Sequence, residues 1–255
     1  MKAANYPRLR EAIENGYELD FGRYISEGID IFKKNIGGFV GFTALYFFSM
    51  FILAVIPFIG GLAAMIVAPA LSVGFYLMAH RLQRGENPEF NYFFRGFDYL
   101  GQLIVLYIVI AFLIFLAFSP IFFSAFAFAI FDARLTDWPF STDGFPWWIF
   151  LTILPIIYLA IAWRWAPMFI IFYDMNFWEA MEASRKIVNK NFGMMLLLAI
   201  IVSMLGSIGY VALLVGIFVT YPAALCMDYA AFADVTGLLE EGEQQHDDIT
   251  EHLVE

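Results

Sequence analysis

Residues 176–237 read NFWEAMEASRKIVNKNFGMMLLLAIIVSMLGSIGYVALLVGIFVTYPAALCMDYAAFADVTG: a charged amphipathic segment, then two apolar spans, then a return to charge. Asn176 is placed to cap a helix whose third position is Glu179, a variant of the capping box. Phe177, Met181, Ser184 and Val188 fall on one face at helical spacing, with Ile187 beside them. Glu179, Glu182, Arg185, Lys186, Asn189 and Lys190 take the other face, and Glu182 precedes Lys186 by four, the better orientation for a helical ion pair. A basic-ended amphipathic helix suits the membrane interface; the bland alternative is a soluble amphipathic helix. From Phe192 to Met227 no residue is charged. That is too long for one crossing of a ~30 Å hydrocarbon core, which needs ~20 residues. Gly206-Ser207-Ile208-Gly209 can turn the chain, dividing the run into spans of about Gly193–Ile208 and Tyr210–Ala231. One long tilted helix is the weaker reading.

The same unit recurs twice upstream. In the first copy Ile25, Ile29, Phe32 and Ile36 share a face, with Glu27, Asp30, Lys33 and Lys34 off it. Asn35-Ile36-Gly37 then opens an apolar run, as Asn191-Phe192-Gly193 does later. Span one covers about Gly38–Ile56, Pro57-Phe58-Ile59-Gly60-Gly61 signals a turn, and span two covers about Leu62–His80. The second copy starts at Asn87-Pro88, a cap followed by proline at the first helical position. Phe90, Phe93, Phe94 and Phe97 form its apolar stripe. Gly101 to Phe131 is uncharged, and Ser119-Pro120 predicts an end or kink of span three. Residues 131–146 read as an external loop carrying Asp132, Arg134, Asp137 and Asp143. Trp147-Trp148 then anchors span four at the interface, and that span ends near Tyr173-Asp174. Each second span holds a proline: Pro69, Pro167 and Pro222. They follow Gly37, Gly101 and Gly193 by 32, 66 and 29 residues.

Composition agrees. The chain is 62% hydrophobic and 19% aromatic, with mean hydropathy +0.73, whereas soluble domains are about 45–50% apolar. No signal-peptide pattern precedes the first span, which is expected to act as the insertion signal. Of the 14 Lys and Arg, all but Arg134 and Arg164 lie in the N-terminal lead or in the segments that open or link the copies. The positive-inside rule then puts both termini in the cytoplasm. The net charge of −10 says little about partners, because residues 240–255 alone hold seven acidic side chains. That stretch has no apolar periodicity and is expected to be a disordered tail; His246 and His252 within it are weak evidence for metal. Cys226 is the single cysteine, so no internal disulfide or zinc spacing exists.

The fold expected is therefore all-α: a polytopic membrane protein with six transmembrane helices in three repeated units of interfacial amphipathic helix plus helical hairpin. Residues 1–22 are a cytosolic lead, 23–238 the membrane domain (repeats at about 25–84, 87–174 and 176–237), and 239–255 the acidic tail. All three units share one topology, unlike the inverted repeats of many transporters.

Arg164, in Ala162-Trp163-Arg164-Trp165-Ala166-Pro167, is the most informative residue. A charge within a span marks a functional site by default, and the flanking tryptophans offer cation–π contact. The competing reading is that Arg164 snorkels to the cytosolic headgroups. Asp174 and Asp228 follow Pro167 and Pro222 by seven and six residues; they are expected at similar depth, as helix-end residues or as partners of Arg164 or of the basic helices. Pro69, Pro167 and Pro222 can kink their spans toward a shared centre. His80, closing span two, reads as interfacial. No hydrolase, nucleotide-binding or metalloprotease motif is present, so no catalytic, cofactor or metal residue is assigned.

The segments Ala180-Met181-Glu182-Ala183-Ser184-Arg185-Lys186, Asn191-Phe192-Gly193, and Tyr221-Pro222-Ala223 to Tyr229-Ala230 resemble those of six-span bacterial inner-membrane families of unknown function. Among these is the membrane domain sometimes fused to glycerophosphodiester phosphodiesterases. The likeness covers about residues 25–237 and implies a fold in the bacterial inner membrane. The chain carries no phosphodiesterase domain, so that activity does not transfer. The expected function is non-enzymatic: organising or assisting other membrane components. Anionic headgroups at the cytosolic face and a membrane protein partner are the expected contacts; no cofactor and no nucleic acid are. The alternative is a transporter or permease subunit for an apolar or lipid-like solute, gated around Arg164.

Overall fold

The computed structural model describes residues 6–57, 59–131, 149–211 and 216–240. Among these the chain is helical and has no strand. The expected external loop, Trp147-Trp148 and almost all of the acidic tail lie outside the described residues. A short helix, α1 (Pro7–Asn15), forms within the N-terminal lead and buries Leu9 and Ala12, packing on α8 and α10 defined below. Then come α2 (Phe21–Lys34), α3 (Ile36–Val55), α4 (Ile59–Gln83) and a 3-10 helix, η1 (Phe90–Tyr99). The chain continues through α5 (Leu100–Phe131), α6 (Ile149–Ala162), α7 (Ala166–Tyr173), α8 (Phe177–Lys190), α9 (Phe192–Val211) and α10 (Ile217–Thr236).

Five helical stretches among the described residues are long and apolar enough to cross a membrane: Ile36–Val55, Ile59–Gln83, Phe90–Pro120, Ile153–Tyr173 and Phe192–Tyr210. The last helix, α10, is not one of them, although a sixth span was expected there. Its composition explains this. It carries Asp228 and Asp234 among many alanines, and it packs on α1, α2, α3, α4 and α9. From Cys226 to Ala233 every residue is buried. A helix enclosed by other helices meets little lipid, so it can be polar where lipid-facing spans cannot.

Caps form as the sequence indicates at Asn176, whose Oδ1 accepts from Glu179 N at 2.9 Å, and at Asn35, whose Oδ1 accepts from Gly38 N at 3.0 Å. The chain leaves α3 at Ile56-Pro57, the start of the expected turn, while Ile59-Gly60-Gly61 of that signal already belong to α4. Elsewhere the structure differs from expectation. The second unit does not begin at Asn87-Pro88: η1 starts at Phe90 with Glu89 before it. Its Phe stripe also divides. With 3.0 residues per turn, Phe90, Phe93, Gly96 and Tyr99 fall in one column, Phe94 and Phe97 in a second, and Tyr92, Arg95 and Asp98 in a third. Phe93 and Gly96 are buried while Phe94 and Phe97 stand exposed. On α2 the buried face is Tyr24, Gly28, Ile31 and Phe32, with Ile29 exposed, and Ile36, exposed too, already opens α3. The contact face is turned about one residue because Gly28 lets α2 close onto Met227.

Two expected breaks are absent. Span three does not end at Ser119-Pro120, because α5 runs through Pro120 to Phe131; Ser119 Oγ donates to Leu116 O at 2.7 Å. Nor does Gly206-Ser207-Ile208-Gly209 turn the chain. It lies inside α9, where Gly209 sits against Thr220 and Ile217, and Thr220 Oγ1 donates to Gly206 O at 2.9 Å. The glycines serve close helix packing, the commoner use of small residues in membranes.

That packing recurs on η1, where Gly96 abuts the Ala70 carbonyl and Gly74 abuts the Phe93 carbonyl, leaving no room for a Cβ. The stacked rings of Phe42 and Phe93, 4.4 Å apart, close the same contact. Gly74→Ala and Gly96→Ala are expected each to cost about 1–3 kcal/mol through overpacking. Gly101→Ala, at a helical glycine with open space around it, is expected to add about 0.5–1 kcal/mol. Heat-induced unfolding in detergent, run on all three variants, checks the contrast; equal shifts would refute the close contact.

Candidate functional site

Span four is not one helix. Pro167 has no N–H to continue the ladder, and its ring crowds the turn before it. The chain therefore closes α6 with a tight turn in which Arg164 N bonds Ile161 O at 3.2 Å, and α7 restarts at Ala166. Neighbours in a continuous helix point about 100° apart. Across this break Arg164 and Trp165 both reach α10.

Their common target is Asp228. Its Oδ1 accepts from Arg164 Nε at 2.8 Å and from Trp165 Nε1 at 3.2 Å, and its Oδ2 accepts from Tyr76 OH at 3.3 Å. The Asp228 side chain is 2% exposed and that of Arg164 is 20% exposed. One buried carboxylate thus takes one donor from α4 and two from the α6–α7 break. A buried ion is tolerated only when paired and hydrogen-bonded, and this one is both. Arg164 does not snorkel: it turns inward.

The remaining candidates separate. Asp174 stands exposed at the end of α7 in left-handed geometry (φ 47°), so the two aspartates differ in burial. Pro69 and Pro222 lie inside α4 and α10 and Pro167 opens α7; all three are buried. His80 is half-buried, with Nδ1 2.8 Å from Tyr229 OH and its ring 4.9 Å from that of Phe172. Tyr76 and Trp165 are donors that the sequence reading missed. Tyr76 follows Pro69 by seven residues, as Tyr229 follows Pro222, and this spacing was the available signal. Trp165 was noted only as a ring beside Arg164; it acts through its indole N–H and packs edge-on against Phe232 at 5.5 Å.

A cleft of about 580 Å³ opens elsewhere, among the last turns of α4, η1, α7 and Leu238-Leu239. None of Arg164, Asp228, Trp165 or Tyr76 lines it. Among the described residues no cluster of three or more His, Cys, Asp or Glu side chains gathers.

Over residues 55–152 the chain is similar to a family described as a predicted integral membrane protein (DUF2189). No curated protein and no solved structure matches it. The matched stretch includes Tyr76 and stops short of Arg164 and Asp228. Together with its apolar helices, the match supports the coarse statement that the chain is an integral membrane protein with no strand among its described residues.

Removing one member of the ion pair leaves a buried charge without its counter-charge. Arg164→Leu and Asp228→Leu are each expected to cost about 3–5 kcal/mol, and the double variant less than either. Trp165→Phe, losing one bond of three, is expected to cost about 1 kcal/mol. A double-variant cycle followed by denaturant unfolding in detergent checks the coupling, and additive losses would rule it out.

Proposed function

We propose that the chain is a non-catalytic protein of a bacterial inner membrane, with both termini cytoplasmic, that organises or assists other membrane components. The observation carrying this reading is the saturation of the intramembrane charges. Arg164 and Asp228 occupy one another, with Trp165 and Tyr76 completing the carboxylate's shell, and the cleft lies apart from them. A gate built on Arg164 needs that charge free to change partners; here protein groups hold it.

The repeat supplies the frame. The amphipathic segments each pack on a second-span helix of the preceding unit: η1 on α4, α8 on α7, and α2 on α10. The order closes on itself, since the first unit's shelf meets the last unit's span. Asn35 and Asn191, which separate shelf from span, share backbone geometry (φ −149°, ψ 59° and φ −143°, ψ 57°). Gly28 and Ser184 precede those asparagines by the same seven residues. Gly28 meets Met227, and Ser184 Oγ donates to Ala162 O at 2.7 Å. In this reading α10 is the sixth crossing, shielded by its neighbours, and the three shelves lie on the cytoplasmic side where Lys and Arg collect.

The test is native mass spectrometry of the protein extracted with its surrounding lipid. A second protein in fixed ratio, retained by the Arg164→Leu/Asp228→Leu double variant, is the expected result. If reconstituted vesicles instead pass a solute and the double variant stops that passage, the transporter reading replaces this one.

A further inference from the structure

We propose that the cleft at the end of α4 is a binding site for a phosphate monoester or diester that also carries a hydroxyl or ammonium donor. The proposal deepens the reading of a protein that engages membrane components, and rests on it for the cytoplasmic placement of the cleft.

The charged lining comes from α4, and the other polar groups from α4, η1, Tyr6 and Tyr173. Helix α4 gives His80, Arg81, Gln83 and Arg84 in its last turn and just beyond, and η1 gives Tyr92 and Tyr99. Two guanidiniums share one carboxylate: Glu86 Oε2 lies 2.5 Å from Arg81 Nη1, and its Oε1 lies 3.7 Å from Arg84 Nε. The group therefore keeps one positive charge in excess. Arg81 is further fixed by its Nε, which donates to Tyr92 OH at 2.9 Å. That bond uses the phenol oxygen as acceptor and leaves its proton to donate outward. Arg84, half exposed, holds the mouth. A fixed guanidinium, a second one at the entrance and a phenol donor suit a phosphoryl group, which takes several donors at once.

An independent observation adds the second half of the ligand. Gln83 lines the cleft, and its Oε1 is enclosed with no hydrogen-bond partner among the described residues, so a turn of its side chain toward the opening is what brings that acceptor to a ligand. An acceptor left so costs free energy until a donor reaches it, and an inorganic anion at neutral pH brings few donors. A ligand with a hydroxyl or ammonium beside its phosphate supplies one. The apolar lining is Leu77, Ile171, Phe172, Leu238 and Leu239. The volume of about 580 Å³ suits a headgroup-sized ligand. Two sources share this chemistry: a phospholipid headgroup such as phosphatidylglycerol, whose chains would follow the apolar lining, and a soluble phosphate ester.

The test uses the full chain, stripped of lipid in detergent, and native mass spectrometry with four probes: phosphatidylglycerol, phosphatidylcholine, glycerol 3-phosphate and inorganic phosphate. Phosphatidylcholine controls for a phosphate without a donor, and inorganic phosphate for an anion alone. The variants are Arg84→Gln and Gln83→Leu, with Lys33→Gln, an exposed charge on α2 outside the cleft, as control. Each variant's melting temperature is checked first. The expected result is one phosphatidylglycerol retained per chain, weakened about tenfold by each cleft variant and unchanged in the control. The same pattern with glycerol 3-phosphate, and not with the lipid, assigns the site to a soluble ester and supports the proposal equally. Equal binding by all variants, no binding of either donor-bearing probe, or preference for inorganic phosphate overturns it. Should the cleft variants fail to fold, protection of Arg84 from phenylglyoxal in the unaltered chain replaces them; no protection by either donor-bearing probe then overturns the site. These failures leave the protein partner of the preceding subsection untouched, since its capture is read as a second protein in fixed ratio and not as a bound probe.

Discussion

A single buried carboxylate constrains the centre of this molecule. Asp228 sits in α10, which packs on five other helices, and its two oxygens are filled from α4 and from the broken fourth span. The constraint is rotational as well as energetic. Turning α10 by one residue would swing the carboxylate by about 100°, away from Arg164, Trp165 and Tyr76 together. Apolar packing alone tolerates such slips more readily, because one face of alanines and large hydrophobes much resembles the next. The α6–α7 break belongs to the same constraint, since it aims two successive side chains at one oxygen.

Around that centre the structure relies on close backbone approach. Lipid tails are as apolar as leucine, so helices in a membrane gain little by hiding apolar surface from them; contact area and hydrogen bonds decide. Gly28, Gly74, Gly96 and Gly209 stand where a Cβ would strike a neighbouring backbone or side chain. Large rings then fill the adjoining space, as Phe39, Phe42, Phe75 and Phe93 do between α3, α4 and η1. The exposed surfaces of α3 and α5 carry rings of the same kind, among them Phe48, Phe51, Phe112 and Phe115. Core and lipid face are therefore alike in composition, and the small residues tell them apart.

This is why the sequence was legible in some places and not in others. Uncharged runs and the caps at Asn35 and Asn176 are local signals, and the helices that they foretold are present. Glycine was ambiguous. Gly206 and Gly209 resemble a turn from the sequence because the partner helix that they admit is encoded elsewhere in the chain. The stripe on η1 was misplaced because a period of 3.6 was applied to a segment wound at 3.0, a choice made by its contact with α4. For the candidate site, Arg164 and Asp228 could be singled out as charges in apolar surroundings, and their pairing was among the readings considered. Trp165 could not, because it is an ordinary residue in a chain that is 19% aromatic, and Tyr76 only by its spacing from Pro69, which Tyr229 shares from Pro222. The helix α10 shows the limit of hydropathy itself, which measures what a segment would meet in lipid and not what protein covers it.

The position of the polar groups bears on how such a protein can act. Deep in the bundle each charge is answered by another protein group, and exchange with a solute would first have to break a pair whose members are costly to leave alone. Near the end of α4 the balance differs: guanidiniums outnumber carboxylates, an amide oxygen lacks a donor, and an open volume lies beside them. His80 lies between the two zones, lining the cleft while its ring nitrogen meets Tyr229, the residue next to Asp228. The interior is thus closed by mutual satisfaction and the interface is left unfinished. Binding capacity belongs where satisfaction is incomplete, and in this fold that is the rim.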